Sequence, residues 1–142
     1  METNNPPLTV LVVDDQKSAC RWLKQMVMNI APNSCVQAFN DPDEALQWAK
    51  EEQPHLSIID YRMPSVDGGQ FVKRLREQEA SGTPSTIIIV TAIDDPSIDE
   101  QALAAGANHV VRKPVAHDDL SEILTRTAQS VVPEPDDRAV GG

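Results

Sequence analysis

The stretch SIIDYRMPSV, residues 57–66, runs strand-forming residues straight into Asp60, a carboxylate placed where desolvation penalises it unless its charge is used. Asp14-Asp15 close the apolar run LTVLVV, Thr91 and Ala92 close TIIIVTA, and Lys113-Pro114 follow HVVR. Brought together, these residue types make a site for a phosphoryl group. At ~4 Å and an effective dielectric of ~20, each pair of carboxylates repels by on the order of 4 kcal/mol, so the cluster requires a cation or takes up protons. A hard divalent cation with oxygen ligands relieves it, and Mg²⁺ suits a site with few protein carboxylates, several waters and a phosphate. Thr91 adds a hydroxyl, Ala92 lets a ligand approach the backbone, and Lys113 brings an ammonium on a long stem. At the centre of such a set, Asp60 can attack phosphorus and hold the group as an aspartyl phosphate.

Convergence requires a scaffold that delivers the ends of several strands to one edge. LTVLVV (8–13), CVQAF (35–39), LSIID (56–60), TIIIVTA (86–92) and HVVR (109–112) read as strands. Three of them are almost continuously apolar, which implies burial on both faces and a parallel sheet between helical layers. Ala19, Trp22, Leu23, Met26, Val27 and Ile30 share one face at helical spacing, as do Leu120, Ile123, Leu124 and Thr127. Asp41-Pro42-Asp43-Glu44 supplies an N-cap, a proline at the first helical position and an acid three residues after the cap; Asp95-Pro96 repeats the cap and proline. Strict alternation of five strands and five helices with right-handed crossovers gives a three-layer, doubly wound (βα)5 α/β fold; the expected form is flavodoxin-like, with parallel sheet order 2-1-3-4-5. Ligands in that order bind outside the carboxyl ends of strands 1 and 3, where Asp14-Asp15 and Asp60 stand.

With 142 residues the chain is one domain in size, able to bury about 68–70% of its unfolded surface. A net charge of -10 argues against direct nucleic-acid binding and against attachment to an anionic membrane. Cys20 and Cys35 lack metal-ligand spacing and fit a reduced setting; the longest apolar run, IIIV, is too short to span a bilayer, and METNNPP carries no secretory pattern. The expected location is cytoplasmic. Residues 1–7 read as a flexible N-terminus, 8–130 as the folded domain, and 131–142, VVPEPDDRAVGG, as a disordered tail or truncated linker. His55, His109 and His117 have no mutual spacing for metal binding and read as structural or solvated. Trp48 lies off the stripe of Ala45, Leu46 and Ala49 and marks a candidate contact surface.

LVVDD, IIDYRMPSVDGG, VTA and the Lys-Pro pair, in this order and at these separations, resemble the receiver domain of bacterial two-component response regulators, over residues 8 to about 129. The resemblance implies Asp60 as phosphoacceptor, Asp15 as a direct Mg²⁺ ligand, Asp14 acting mainly through water, and the backbone carbonyl of Arg62 as the remaining protein ligand. It implies that Thr91 bonds a phosphoryl oxygen, that Lys113 pairs with the phosphoryl group, that the Lys113-Pro114 peptide is cis, and that Met63-Pro64 and Gly68 shape the following loop. A histidine kinase or phosphotransfer protein is the implied donor. The implied recipient is an output domain or downstream protein, with a possible homodimer through the fourth helix, fifth strand and fifth helix. Such a chain is no enzyme beyond its own phosphorylation and dephosphorylation.

Departures from the pattern bear on mechanism. Three residues before the lysine, receivers commonly carry Tyr or Phe; here the position is Val110, so the switch set is Thr91, Ala92 and Val110. The resemblance implies that Arg62, two residues after Asp60, and Ile93, two after Thr91, flank the path of an attacking water and set the phosphoryl lifetime. DYRMP, VTAIDD and KPV also resemble receivers fused to HD-GYP cyclic-di-GMP phosphodiesterases. A phosphohydrolase of the haloacid dehalogenase type wants an acid two residues after its nucleophile, where this chain has Arg62. An unphosphorylated receiver-like interaction module usually lacks an acid or the lysine, and all are present here.

Overall fold

The computed structural model describes residues 7–80, 82 and 84–130. Strands and helices alternate throughout: β1 (Thr9–Val13), α1 (Lys17–Ile30), β2 (Cys35–Phe39), α2 (Pro42–Glu52), β3 (Leu56–Asp60), α3 (Gly68–Glu77), β4 (Thr86–Thr91), α4 (Pro96–Ala105), β5 (His109–Arg112) and α5 (His117–Ser130). All strand pairings are parallel, in the order β2-β1-β3-β4-β5.

The continuous apolar runs belong to the three inner strands, and their alternation divides the core in two. Val10, Val12, Ile58, Ile88 and Val90 face α1 and α5, meeting Leu23, Val27, Leu120 and Leu124. Leu11, Val13, Ile59, Ile87 and Ile89 face the other layer, meeting Ala45 and Ala49 of α2, Phe71 and Leu75 of α3, and Ala102 of α4. The edge strands β2 and β5 are only partly buried, which is why their sequences are less uniformly apolar.

Local signals set the helix starts. The Asp41 side chain accepts from Asp43 N–H at 3.1 Å, and Asp95 accepts from Ser97 N–H at 3.0 Å, each before a proline at the first helical position. Asp67 and Gln70 form a reciprocal capping box at α3.

Two expectations are corrected. Trp22 lies outside the buried stripe of α1 and is 48% exposed: the stripe is Cys20, Leu23 and Val27, and one residue step turns a helix by about 100°. Trp48 is no free contact surface, since it is half-buried and packs on Phe39 with ring centroids 5.8 Å apart, tying α2 to the end of β2. His55 Nδ1 accepts from Thr9 N–H at 3.0 Å, a structural role. The expectations for residues 1–6 and 131–142 lie outside the described residues. No helix among the described residues is long and apolar enough to cross a membrane.

Arg76 of α3 braces the far side of the sheet. Its guanidinium donates to the Gly106 carbonyl (3.0 and 2.7 Å), the Ser85 carbonyl (2.9 Å), Asn108 Oδ1 (3.0 Å) and Glu79 (3.1 and 3.0 Å). One side chain thus joins α3, the approach to β4 and the turn after α4.

Candidate functional site

The strand order brings the carboxyl ends of β1, β3, β4 and β5 to one edge, and the polar residues that close them meet there. Asp14, Asp60 and Thr91 are 1%, 7% and 2% exposed, while Asp15 projects to solvent. One carboxylate oxygen from each of Asp14, Asp15 and Asp60 lies within 4.8 Å of the others. An open cleft of about 430 Å³ is lined by Asp15, Gln16, Asp60, Arg62, Thr91, Ala92, Ile93 and Lys113.

Lys113 is not held in reserve for a ligand. Its Nζ lies 3.0 Å from Asp60 Oδ1 and 3.3 Å from Asp14 Oδ2, so an internal cation already offsets part of the repulsion expected from the sequence. Desolvation pulls the ammonium pKa down, but the Asp60 hydrogen bond and the charges of Asp14 and Asp60 together outweigh it and leave the group above its ordinary value. Asp60 moves the same way for another reason: burial raises its pKa, the Lys113 hydrogen bond offsets only part of this, and the Asp14 charge adds to the rise. Among the described residues no cation pairs with Asp15. An all-oxygen donor set of this geometry, with one carboxylate unpaired and open to solvent, fits a hard divalent cation such as Mg²⁺.

The Thr91 hydroxyl oxygen accepts from Ile93 N–H at 3.0 Å, tying the end of β4 to the loop beyond it. After Asp60 the chain turns back tightly. Gly68 N–H donates to the Tyr61 carbonyl at 2.7 Å, and a Cβ at Gly68 would lie 2.8 Å from both Tyr61 Cα and Ile89 Cδ1, so backbone approach demands glycine there. The Lys113–Pro114 peptide is cis. Val110 stands opposite Ile89 in the β4–β5 register and packs with the α2–α3–α4 layer, outside the cleft.

Residues 10–125 match the family described as the response regulator receiver domain. The chain belongs to the response regulator receiver domain family. The cyclic di-GMP phosphodiesterase response regulator RpfG of Xanthomonas campestris pv. campestris (strain 8004) is 39% identical over 108 residues, which are 76% of this chain and 28% of that protein. Among solved structures, the Vibrio cholerae chemotaxis protein CheY4 superposes with a TM-score of 0.75 at 27% identity, over 86% of this chain and 99% of that one. The receiver domain of the Saccharomyces cerevisiae response regulator Ssk1, solved with the histidine phosphotransfer protein Ypd1, shares the fold with a TM-score of 0.79 at 23% identity, over 94% and 98% of the two chains. The chain spans less than a third of the curated relatives it matches first, 28% of RpfG and 30% of protein-glutamate methylesterase/protein-glutamine glutaminase 2 of Chromobacterium violaceum.

In this receiver two further side chains fix the acidic turn, and sequence reasoning missed both. Asn40 Nδ2 donates to the Asp14 carbonyl at 2.9 Å, and Cys20 Sγ donates to the same carbonyl at 3.2 Å. Phe39 adds a backbone bond, its carbonyl accepting from Asp14 N–H at 3.1 Å. The one available signal was a polar residue, Asn40, directly after β2 at the same edge as the acids. Cys20 gave none, since it sits within the apolar stripe of α1.

Proposed function

We propose that this receiver takes a phosphoryl group from a histidine kinase or phosphotransfer protein onto Asp60 and relays its phosphorylation state through the face built by α4, β5 and α5. The observation that carries this reading is the juxtaposition of Asp60 with Lys113 at 3.0 Å inside a carboxylate cluster that spans no more than 4.8 Å. An Asp60 oxygen attacks phosphorus, the P–N bond to the donor imidazole breaks, and the phosphoryl group remains as an acyl phosphate. Mg²⁺ bound by Asp15, Asp60 and the Arg62 carbonyl, with Asp14 acting through water, would neutralise charge shared by donor and acceptor. Lys113 follows the charge from the carboxylates to the phosphoryl oxygens, and the Thr91 hydroxyl donates to another of them. Arg62 and Ile93 line the approach to the bond that water must cleave, so they set the lifetime of the group.

The chain is proposed to catalyse no reaction besides gain and loss of its own phosphoryl group, and to work in the cytoplasm with residues 8–130 as the receiver. Its recipient is proposed to be an output domain or a separate downstream protein, with a homodimer through the same face as a further form. Two observations favour a cyclic di-GMP phosphodiesterase as the output: the 39% identity to RpfG and the DYRMP, VTAIDD and KPV stretches. Acetyl phosphate or beryllofluoride supplied with Mg²⁺ is expected to modify one site, read by intact mass or fluorine resonance. Labelling that persists in Asp60→Asn, or that proceeds equally in EDTA, would falsify the assignment.

A further inference from the structure

Arg112 and Lys113 are consecutive residues that face different parts of the molecule. Lys113 reaches into the acid cluster, whereas Arg112 reaches over α4. Its two terminal nitrogens grip Asp99 as a fork, Nη1 to Oδ1 at 3.1 Å and Nη2 to Oδ2 at 2.9 Å, and Nη2 also lies 3.2 Å from Asp94 Oδ1. Asp99 is in the first turn of α4, and Asp94 is in the loop that carries Ala92 and Ile93 out of the cleft. The Arg112 and Asp99 side chains are 35% and 31% exposed, so their bidentate pair is partly shielded; Asp94 at 93% adds little.

Little else fixes this end of α4. Ala102 is the one buried residue of the helix, so its apolar grip on the sheet is small, and Leu103 stands 49% exposed. The opposite end is pinned, because the Gly106 carbonyl takes two hydrogen bonds from Arg76. A groove of about 820 Å³ runs over β5 between α4 and α5, with Asp99 and Arg112 in its wall, so α4 has room to move on that side. Arg112 itself is anchored in the sheet opposite Thr91, and Lys113 N–H donates to the Thr91 carbonyl at 2.9 Å.

We propose that the Arg112–Asp99 pair is a latch that holds the first turn of α4 against β5 in the unphosphorylated receiver and opens when Asp60 is phosphorylated. The proposal rests on the phosphoacceptor reading above. A phosphoryl oxygen that recruits the Thr91 hydroxyl draws the loop from Ala92 to Asp95 toward the cleft. Asp95 caps α4, so the first turn follows the loop while Arg112 stays with β5. The helix pivots about its pinned Gly106 end and the fork comes apart. An interaction present in one state and lost in the other opposes the ligand that favours the second, and the coupling is reciprocal. Deleting the latch therefore tightens binding of the phosphoryl mimic.

Beryllofluoride affinity in Mg²⁺ separates this role from a structural one by its sign. Arg112→Gln removes a cation next to the site, which by charge alone weakens binding of an anion. Loss of the latch instead predicts binding about two- to fivefold tighter. Asp99→Asn is expected to tighten binding as well, and the double variant to bind no more tightly than the tighter single one, with thermal melts establishing that each variant is folded. Binding by Arg112→Gln that is unchanged or weaker overturns the latch, as do fully additive effects in the double variant. A wild type that binds no beryllofluoride overturns the phosphoacceptor reading and the latch with it.

Discussion

Lys113 stands between Asp60 and Asp14, its Nζ 3.0 Å from one carboxylate and 3.3 Å from the other. One ammonium shared by two of three acids leaves the cluster two charges negative when all are ionised: one is on exposed Asp15, and the other lies in a nearly dry setting at Asp14 and Asp60.

Asp60 accordingly makes the metal-free receiver less stable as it ionises. Its pKa is higher folded than unfolded, so the stability it contributes is fully present below the unfolded value of about 3.9 and is lost as pH rises through the folded value. Asp60→Asn removes that loss. In EDTA at neutral pH the variant is expected to exceed wild type by about 1 kcal/mol, and the gap should close as the buffer is acidified toward pH ~4. Denaturant melts across this range decide the point; a variant no more stable than wild type at neutral pH would mean that Lys113 compensates Asp60 completely.

Asp15 separates metal binding from stability, because it is exposed and no cation pairs with it among the described residues. Asp15→Asn should leave the metal-free melt within about 0.5 kcal/mol of wild type. Mg²⁺ at a hundredfold excess over its Kd should stabilise wild type by about 2.7 kcal/mol and the variant far less. An undiminished Mg²⁺ response in Asp15→Asn would remove this residue from the metal site.

Arg76 supplies a stability test remote from the cleft. Arg76→Ala strips hydrogen bonds from the Gly106 and Ser85 carbonyls at once and is expected to cost about 2–4 kcal/mol, with Arg76→Lys recovering part of it. Gly106→Ala should cost about 1–3 kcal/mol, since φ is 124° and the added Cβ would lie 2.9 Å from Arg76 Cγ. Melts within 0.5 kcal/mol of wild type for both variants would contradict the brace.

The residues legible in the sequence were those whose role is set locally. Val10, Ile58 and Ile88 stand in runs that only a doubly covered strand would carry, and Asp14, Asp60, Thr91 and Lys113 sit at the ends of such runs, where the topology leaves one edge for them to share. Contacts that a charged side chain makes with a partner distant in sequence leave no such local mark. Arg76 with Gly106 and Arg112 with Asp99 join positions that no motif or periodicity in the sequence links. Trp22 shows a different failure: its spacing from Met26 placed it on the apolar stripe, but the stripe is centred on Leu23 and Val27, which leaves the indole facing outward.

The Thr91 hydroxyl is buried and accepts the Ile93 N–H at 3.0 Å, so the loop toward α4 is fastened to the group that a phosphoryl oxygen would recruit. A phosphoryl group brings about -1.5 to -2 charges and strong acceptor oxygens. The hydroxyl can donate to that acceptor as it turns inward, and the loop follows through the backbone. Val110 has no polar group to enlist; its β-branched side chain is stiff and packs with the apolar layer beneath α4. Beryllofluoride is therefore expected to shift amide resonances from Ile93 through Ala105 in wild type. Thr91→Ala should largely abolish those shifts while Asp60 is still modified, and Val110→Ala should leave most of them in place. If Val110→Ala abolishes the long-range shifts as completely as Thr91→Ala does, the side chain of β5 is the relay and the backbone route is wrong.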